Sequence, residues 1–152
     1  MSRNTRDASV ISLSSVREEK IEEKRREYER VVFRSNFGVY AALPNDALQA
    51  LEIVDISEGG LLFQVPESSE FRLDVDHILT VKFYFSPESF ISIDVKVVRS
   101  FTALEAGKAV HRYGCLMDKT MQSYAAIFHL VQFITKCAEH GHKDQGRHKI
   151  FY

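Results

Sequence analysis

The sequence predicts a mainly β fold: six strands in a sandwich or a closed antiparallel β-barrel, followed by a C-terminal α-helix. Apolar and polar residues alternate with a period of two in several short runs, which is typical of half-buried strands. Turn-forming segments such as "PND" (44–46) and "SPES" (86–89) separate these runs. A final stretch without Gly or Pro, from Thr120 to Glu139, predicts the helix. Closure into a barrel is favoured because it removes exposed sheet edges.

The strand pattern places each element in order. Glu58-Gly59-Gly60 lies between two apolar runs and predicts a tight hairpin there. Gly107 is expected in the loop before the last strand. The six strands are expected at residues 31–43, 48–57, 61–65, 79–85, 91–97 and 110–117.

A charged arm precedes the first strand. Ser15 with Glu18 fits a capping box, and 12 of the 14 residues from Arg17 to Arg30 are charged. A helix with so few apolar residues is marginal unless something docks on it. We therefore expect residues 1–23 to be a mobile or helical extension, 24–140 to be the domain, and 141–152 to be a flexible tail.

Composition limits the class of protein. A chain of 152 residues has room for one domain with a core, and its net charge of −1 provides no general attraction for nucleic acid polymers. No apolar run is long enough to span a bilayer, and the first residues do not resemble a signal peptide. Cys115 and Cys137 have no disulfide-like or CxxC spacing, which favours a reducing, cytoplasmic location.

The segment "DISEGG" (55–60) combines polar side chains with glycines at the end of a predicted strand. Asp55 and Ser57 are two residues apart, so both should project from the non-core face. Gly59 and Gly60 are expected to adopt positive φ and to let a ligand approach the backbone. An acceptor and a hydroxyl beside an accessible backbone are suited to binding a polar ligand.

The segment "RREYER" (25–30) supplies cations 24 residues or more upstream. Arg26 and Arg30 are four residues apart, so they share one helix face, where their like charges repel. An anionic ligand would relieve this repulsion. The guanidinium fork also matches the O6/N7 edge of guanine, and Asp suits the N–H donors of its other edge. A phosphorylated guanine nucleotide fits both segments.

Together, "RREYER" and "DISEGG" resemble the paired motifs RxxxR and (D/N)xSxxG of the PilZ domain family. The strand "YGCLM" (113–117) before the final helix is also similar, and the resemblance covers about residues 24–137. The family's fold is a six-stranded β-barrel with a helix after the last strand. Its members are bacterial, non-catalytic receptors for cyclic di-GMP. The resemblance therefore implies a PilZ-like barrel, no catalytic residues, no cofactor or metal, and cyclic di-GMP as ligand.

The family's functional positions carry over onto this sequence. Arg26 and Arg30 would hold guanine edges and phosphates. Asp55 and Ser57 would contact a guanine and nearby ligand atoms, and Gly60 would shape the turn.

Further expectations concern stoichiometry and signalling. An arginine directly before RxxxR, here Arg25, accompanies binding of two stacked ligands in this family. Arg99 is a candidate neighbour of the ligand by analogy, although a surface ion pair is the simpler expectation. Ligand binding is expected to order residues 15–30 and so to present a new surface to an unidentified protein partner.

Two other functions remain open. The apolar surplus on helix 120–139 suggests self-association, or a ligand-independent adaptor that acts through this helix. A small enzyme using the same pocket is the second alternative. A metal site is not expected, because His140, His142 and His148 lack the spacing of a ligand set.

Overall fold

The computed structural model describes residues 6–141 and Gly146, with side chains from Val16 onward except that of Ser35. Within these residues, seven strands form one antiparallel sheet, accompanied by two helices. The elements are α1 (Arg6–Ser35), β1 (Gly38–Ala42), β2 (Leu48–Ala50), β3 (Glu52–Ile56), β4 (Gly60–Pro66), β5 (Ile78–Tyr84), β6 (Phe90–Glu105), β7 (Lys108–Met117) and α2 (Ser123–His140).

The sheet is not closed into a barrel. Its strand order is β2-β1-β5-β6-β7-β4-β3, and no ladder joins β2 to β3 in the described residues. The mainly β, antiparallel prediction is confirmed, but the closed six-stranded barrel is wrong in strand number and in closure. The predicted strand 48–57 divides at Leu51, because β2 pairs with β1 whereas β3 pairs with β4. One chain segment therefore supplies both edges of the sheet, and Leu51 between them donates its N–H to the Val39 carbonyl at 2.9 Å.

The predicted alternation is confirmed in the central strands. In β5, Leu79, Val81 and Phe83 are buried while their neighbours are partly exposed. The same alternation on β6 buries every second residue up to Val97, where a bulge interrupts the register with β7. These side chains form one hydrophobic core between the sheet and the helices.

The β6–β7 hairpin is much longer than the sequence pattern indicated. β6 continues to Glu105, eight residues beyond the predicted end of this strand at residue 97. The turn residues Ala106 and Gly107 both have positive φ, at 51° and 77°, which suits a two-residue hairpin. Because most side chains of 98–105 are exposed, burial does not impose a strong alternation there. The extension carries Glu105 to α1.

Helix α1 also exceeds its predicted length. The expected strand 31–43 is wrong in its first part, because the helix continues to Ser35 and β1 begins at Gly38. Arg25, Glu29 and Phe33 are buried at intervals of four residues, as on one face of a helix. The Phe33 ring packs 5.8 Å from that of Phe83, between ring centroids, so core packing favours the helical state.

Helix α2 agrees with the predicted helix to within three residues at its start. Ile127, Val131 and Ile134 face the core, whereas the side chain of Phe133 is exposed. The end of α2 meets α1, where the Lys24 ammonium donates to the Gly141 carbonyl at 3.1 Å. Residues 1–5, 142–145 and 147–152 lie outside the described part of the chain, so the predicted flexible tail stays a prediction.

Phe33→Ala should lower the free energy of unfolding by about 3–5 kcal/mol, because it removes a buried ring and leaves a cavity. Chemical denaturation of the purified protein measures this change. Val31→Ala is the matched control, since Val31 is exposed on the same helix and should change the free energy of unfolding by less than about 0.5 kcal/mol. Equal effects of the two changes would contradict the helical continuation through Phe33.

Candidate functional site

The DISEGG hairpin is closed by backbone and side-chain hydrogen bonds. The Ser57 N–H donates to the Gly60 carbonyl at 2.9 Å, and the Ser57 hydroxyl lies 3.4 Å from the same oxygen. The expected positive φ at Gly59 and Gly60 is wrong, since neither residue has one. Gly60 is required for another reason. A Cβ atom there would lie 2.5 Å from the Cys115 carbonyl oxygen, so only glycine lets β4 approach β7 this closely.

The tip of this hairpin is held by two other elements. The Met117 N–H, at the end of β7, donates to the Gly59 carbonyl at 3.0 Å. The Tyr124 hydroxyl of α2 donates to the Glu58 carbonyl. The turn is therefore fixed to the first part of α2 as well as to the sheet.

A cleft of about 190 Å³ opens beside the hairpin. Its polar lining comes from the predicted Asp55 and Ser57, with Gly60 at its floor. Arg99 of β6 lies on the other side, and its guanidinium carbon is 5.3 Å from the Phe101 ring centroid. The remaining lining residues are Leu61, Leu62, Val98, Gly114 and Cys115.

Arg99 lies flat against the backbone of Gly114, its ladder partner. A Cβ atom at Gly114 would be 2.7 Å from the Arg99 Nε and 2.8 Å from its Cγ. Only a glycine at this position therefore leaves room for the Arg99 side chain. The surface ion pair expected of Arg99 is wrong, because it stacks on Phe101 instead. Only the pairing of β6 with β7 shows that Gly114 and Arg99 belong together.

Arg25 is buried and does not face the cleft. Its guanidinium donates to Glu22 at 2.7 Å, to Glu29 at 2.5 Å and to Asp55 at 3.3 Å. It also donates to the backbone carbonyl of Ile56 at 2.6 Å. One guanidinium therefore serves three carboxylates, and this cluster holds α1 against β3.

Glu29 is the innermost carboxylate of the cluster and is fully buried. One of its oxygens accepts from Arg25, and the other accepts from the Ile56 N–H at 3.1 Å. Burial raises the pKa of Glu29 to about 8, against the attraction of Arg25, and the neighbouring Asp55 carboxylate adds to the increase. The main physical cause is the removal of this carboxyl group from water, which the attraction of Arg25 offsets only in part.

Arg26 and Arg30 are more accessible than Arg25. The Arg26 Nε is 3.8 Å from a carboxylate oxygen of Asp55, and half of its side chain is exposed. The Arg30 guanidinium is 3.4 Å from Glu105, which also accepts from Arg112 at 2.7 Å. Arg30 therefore points toward the tip of the β6–β7 hairpin.

The structure brings together most of the residues that the sequence predicted. Arg25 and Arg26 meet Asp55, and Ser57 and Gly60 line the cleft beside it. Two predicted residues lie outside this group: Gly59 holds the turn through its carbonyl, and Arg30 is paired with Glu105.

Other chemistry has little support among the described residues. Burial raises the pKa of the Cys115 thiol to about 12, so this cysteine at the cleft is not a nucleophile at neutral pH. No group of His, Cys, Asp and Glu within 16–34, 36–141 and Gly146 has the arrangement of a metal site. Neither described helix combines the length and hydropathy needed to cross a bilayer.

The model of the PilZ domain matches residues 24–133, most of the chain. The chain belongs to the PilZ domain family. No curated protein sequence matches it.

Several solved structures share the fold. K. pneumonia MrkH in its apo state is 17% identical, with a TM-score of 0.56 over 68% of this chain and 48% of MrkH. The MrkH–c-di-GMP complex is 18% identical, with the same TM-score and coverage. The Escherichia coli YcgR PilZ domain with c-di-GMP is 10% identical, with a TM-score of 0.50 over 70% of this chain and 83% of that domain. The chain thus spans about half the length of MrkH.

Glu29→Gln should change how stability depends on pH. In the folded wild-type protein the pKa of Glu29 is about 8, whereas a glutamate in the unfolded chain has its ordinary pKa of 4.5. Because the pKa of Glu29 is higher in the folded protein, the protonated Glu29 side chain stabilises the fold fully below about pH 4.5. This stabilisation is lost as the pH rises through about 8. The loss reaches a few kcal/mol, since each unit of pKa difference corresponds to about 1.4 kcal/mol.

Thermal denaturation from pH 5 to pH 9 measures this effect. The difference in melting temperature between Glu29→Gln and wild type should rise in favour of the variant from pH 5 to about pH 8 and then level off. Parallel melting curves across this range would show that Glu29 does not titrate as described.

Proposed function

We propose that the protein is a non-catalytic receptor for cyclic di-GMP, and that it signals to a protein partner in the cytoplasm. The observation that carries this proposal is the convergence of Arg25 and Arg26 on Asp55, beside a cleft also lined by Ser57, Gly60 and Arg99. Membership of the PilZ family supports the ligand, and MrkH and YcgR have been solved with c-di-GMP.

The cleft residues suit the parts of this ligand. The Asp55 carboxylate is an acceptor for the N–H donors on one edge of guanine, and Arg26 beside it matches the O6/N7 edge or a phosphate. Arg99 presents a flat guanidinium that already stacks on an aromatic ring and is suited to stack on a base.

Arg30 joins the site when the ligand binds. Its ion pair with Glu105 is long and partly exposed, and such pairs contribute about 1 kcal/mol or less. A ligand phosphate is a stronger partner than this carboxylate, because charge-assisted hydrogen bonds to a phosphate contribute about 1.5–3 kcal/mol. Glu105 keeps Arg112 as a partner after Arg30 leaves.

Ligand binding then stabilises the N-terminal arm, residues 15–30. Residues 16–20 are exposed on all sides of α1, so this part of the helix is not held by burial. Contacts from Arg26 and Arg30 to the ligand, joined by Arg25 where a second ligand binds, would stabilise residues 15–30 and change the surface offered to a partner. The Tyr124–Glu58 hydrogen bond provides a second route, from the signature turn to α2.

An adaptor that acts through α2, with or without ligand, is the second candidate. Phe133 supports it, because this large apolar side chain is 64% exposed on a helix whose other face is packed. Light scattering with and without cyclic di-GMP separates the two functions, since a ligand-independent adaptor self-associates equally in both. An enzyme has less support, because burial raises the pKa of the Cys115 thiol and, among the residues that the structure describes, the Ser57 hydroxyl bonds only within its own turn.

Arg30→Ala should weaken binding of cyclic di-GMP at least about tenfold, because it removes a charge-assisted hydrogen bond to the ligand. Isothermal titration calorimetry measures the affinity. The melting temperature of the ligand-free protein should not fall, since the lost ion pair is exposed. Arg34→Ala is the matched control one turn further along α1, with an exposed partner in Glu52 and no place at the cleft. Unchanged affinity in Arg30→Ala would remove Arg30 from the site.

The same titration gives the number of ligands bound. Two stacked molecules per site require Arg25 to leave its carboxylate cluster, because its donors are engaged in the ligand-free protein. We expect Arg25→Lys, which keeps a positive charge in the cluster but loses the guanidinium fork, to lower the stoichiometry from two to one. A stoichiometry of one in the wild-type protein would leave Arg25 as part of the scaffold.

A further inference from the structure

The buried carboxylate of Glu29 is a feature that the signature motifs do not require. It lies at a variable position between Arg26 and Arg30 of "RREYER", one turn after the buried Arg25, on a helix whose charged residues from 17 to 23 are exposed. A fully buried glutamate is rare unless it is paired, because removing a charge from water is costly. Its place beside the candidate site calls for a physical explanation.

Glu29 and Arg25 together engage both backbone groups of one residue. Arg25 donates to the carbonyl of Ile56, and Glu29 accepts from the N–H of the same residue. Ile56 stands between Asp55 and Ser57, the two polar residues of the signature. Arg25 and Glu29 therefore fix the backbone at Ile56, and this backbone determines the direction of the Asp55 and Ser57 side chains.

The charges of this cluster do not balance when every group is ionised. Arg25 contacts Glu22, Glu29 and Asp55, and within the described part of the chain only the more distant Arg26 adds a second cation. Cyclic di-GMP would bring two further negative charges to Asp55. The electrostatic potential at Glu29 would therefore become more negative when the ligand binds. Any transfer of Arg25 to the ligand would make it more negative still.

We propose that Glu29 is a positioning residue of the cyclic di-GMP site, which with Arg25 clamps Ile56 and which takes up a proton from solvent when the ligand binds. This inference rests on the proposed function. Its chemistry is a simple protonation: the carboxylate gains one proton from water, and no covalent bond to the ligand forms.

The charged groups around Glu29 support the uptake of a proton by its carboxylate. The charged groups that act on it are Arg25 from its own helix and Asp55 from β3, with the Ile56 N–H as the backbone donor. Helix α2 and β1 also pack on α1, and neither adds a charge that acts on Glu29 in the described residues. With a pKa of about 8 in the free protein, Glu29 is partly ionised near pH 8 and is able to gain a proton there.

Calorimetric titration with cyclic di-GMP in two buffers of different ionisation enthalpy measures the protons taken up per ligand. At pH 8 the wild-type protein should take up as much as about half a proton more than Glu29→Gln, because about half of Glu29 is ionised at its pKa. At pH 6 the two proteins should agree, since Glu29 is already protonated. Any titration of the ligand itself is common to both proteins and cancels in the comparison.

The clamp is tested by affinity at pH 7. Glu29→Gln keeps an oxygen acceptor without charge and should bind within about threefold of wild type. Glu29→Leu removes both acceptors and should bind at least about tenfold more weakly, because Arg25 and Ile56 lose their buried partner. Glu23→Gln, on the exposed side of α1, is the matched control and should bind as wild type does.

The outcomes separate this inference from the proposed function. Failure of wild-type protein to bind cyclic di-GMP overturns both. Tight wild-type binding with equal proton uptake in Glu29→Gln at pH 8 overturns the protonation of Glu29 alone. Wild-type affinity in a folded Glu29→Leu overturns the clamp. Should Glu29→Leu fail to fold, the proton count in Glu29→Gln still decides the inference.

Discussion

The docking of α1 on β3 through Arg25 and Glu29 is the interaction on which the candidate site depends. These two side chains bond to each other and to both backbone groups of Ile56. A helix with so few apolar residues would otherwise have little reason to lie on the sheet. The polar clamp sets its rotation, so that Arg26 stands beside Asp55 and Phe33 enters the core.

Such a clamp carries an energetic cost. Burying a guanidinium and a carboxyl group removes both from water, and the hydrogen bond between them offsets this penalty only when their remaining hydrogen bonds are made. Here the Ile56 backbone makes those bonds, and the Phe33 ring adds apolar burial one turn further on. The arrangement gives specificity of position more than stability, which is what a ligand site requires of its scaffold.

The close approaches around the hairpin have a similar role. Gly60 lets β4 lie against the Cys115 carbonyl, and Gly114 lets Arg99 lie flat on β7. Each glycine makes room for a neighbour and does not serve a special φ. The cleft therefore depends on the absence of a Cβ atom at Gly60 and Gly114 as much as on the side chains of Asp55 and Ser57.

The sequence by itself determined the family, the antiparallel β character, the C-terminal helix and the two motifs, because these are local patterns of polarity and spacing. Only the tertiary structure decided that Arg25 faces inward, that Glu29 is buried and that Glu105 reaches Arg30. Those facts depend on residues 27 to 75 positions apart in the chain, which no local period connects. The length of α1 was decided in the same way, since Val31 and Phe33 fit a strand pattern until the core around Phe83 selects the helix.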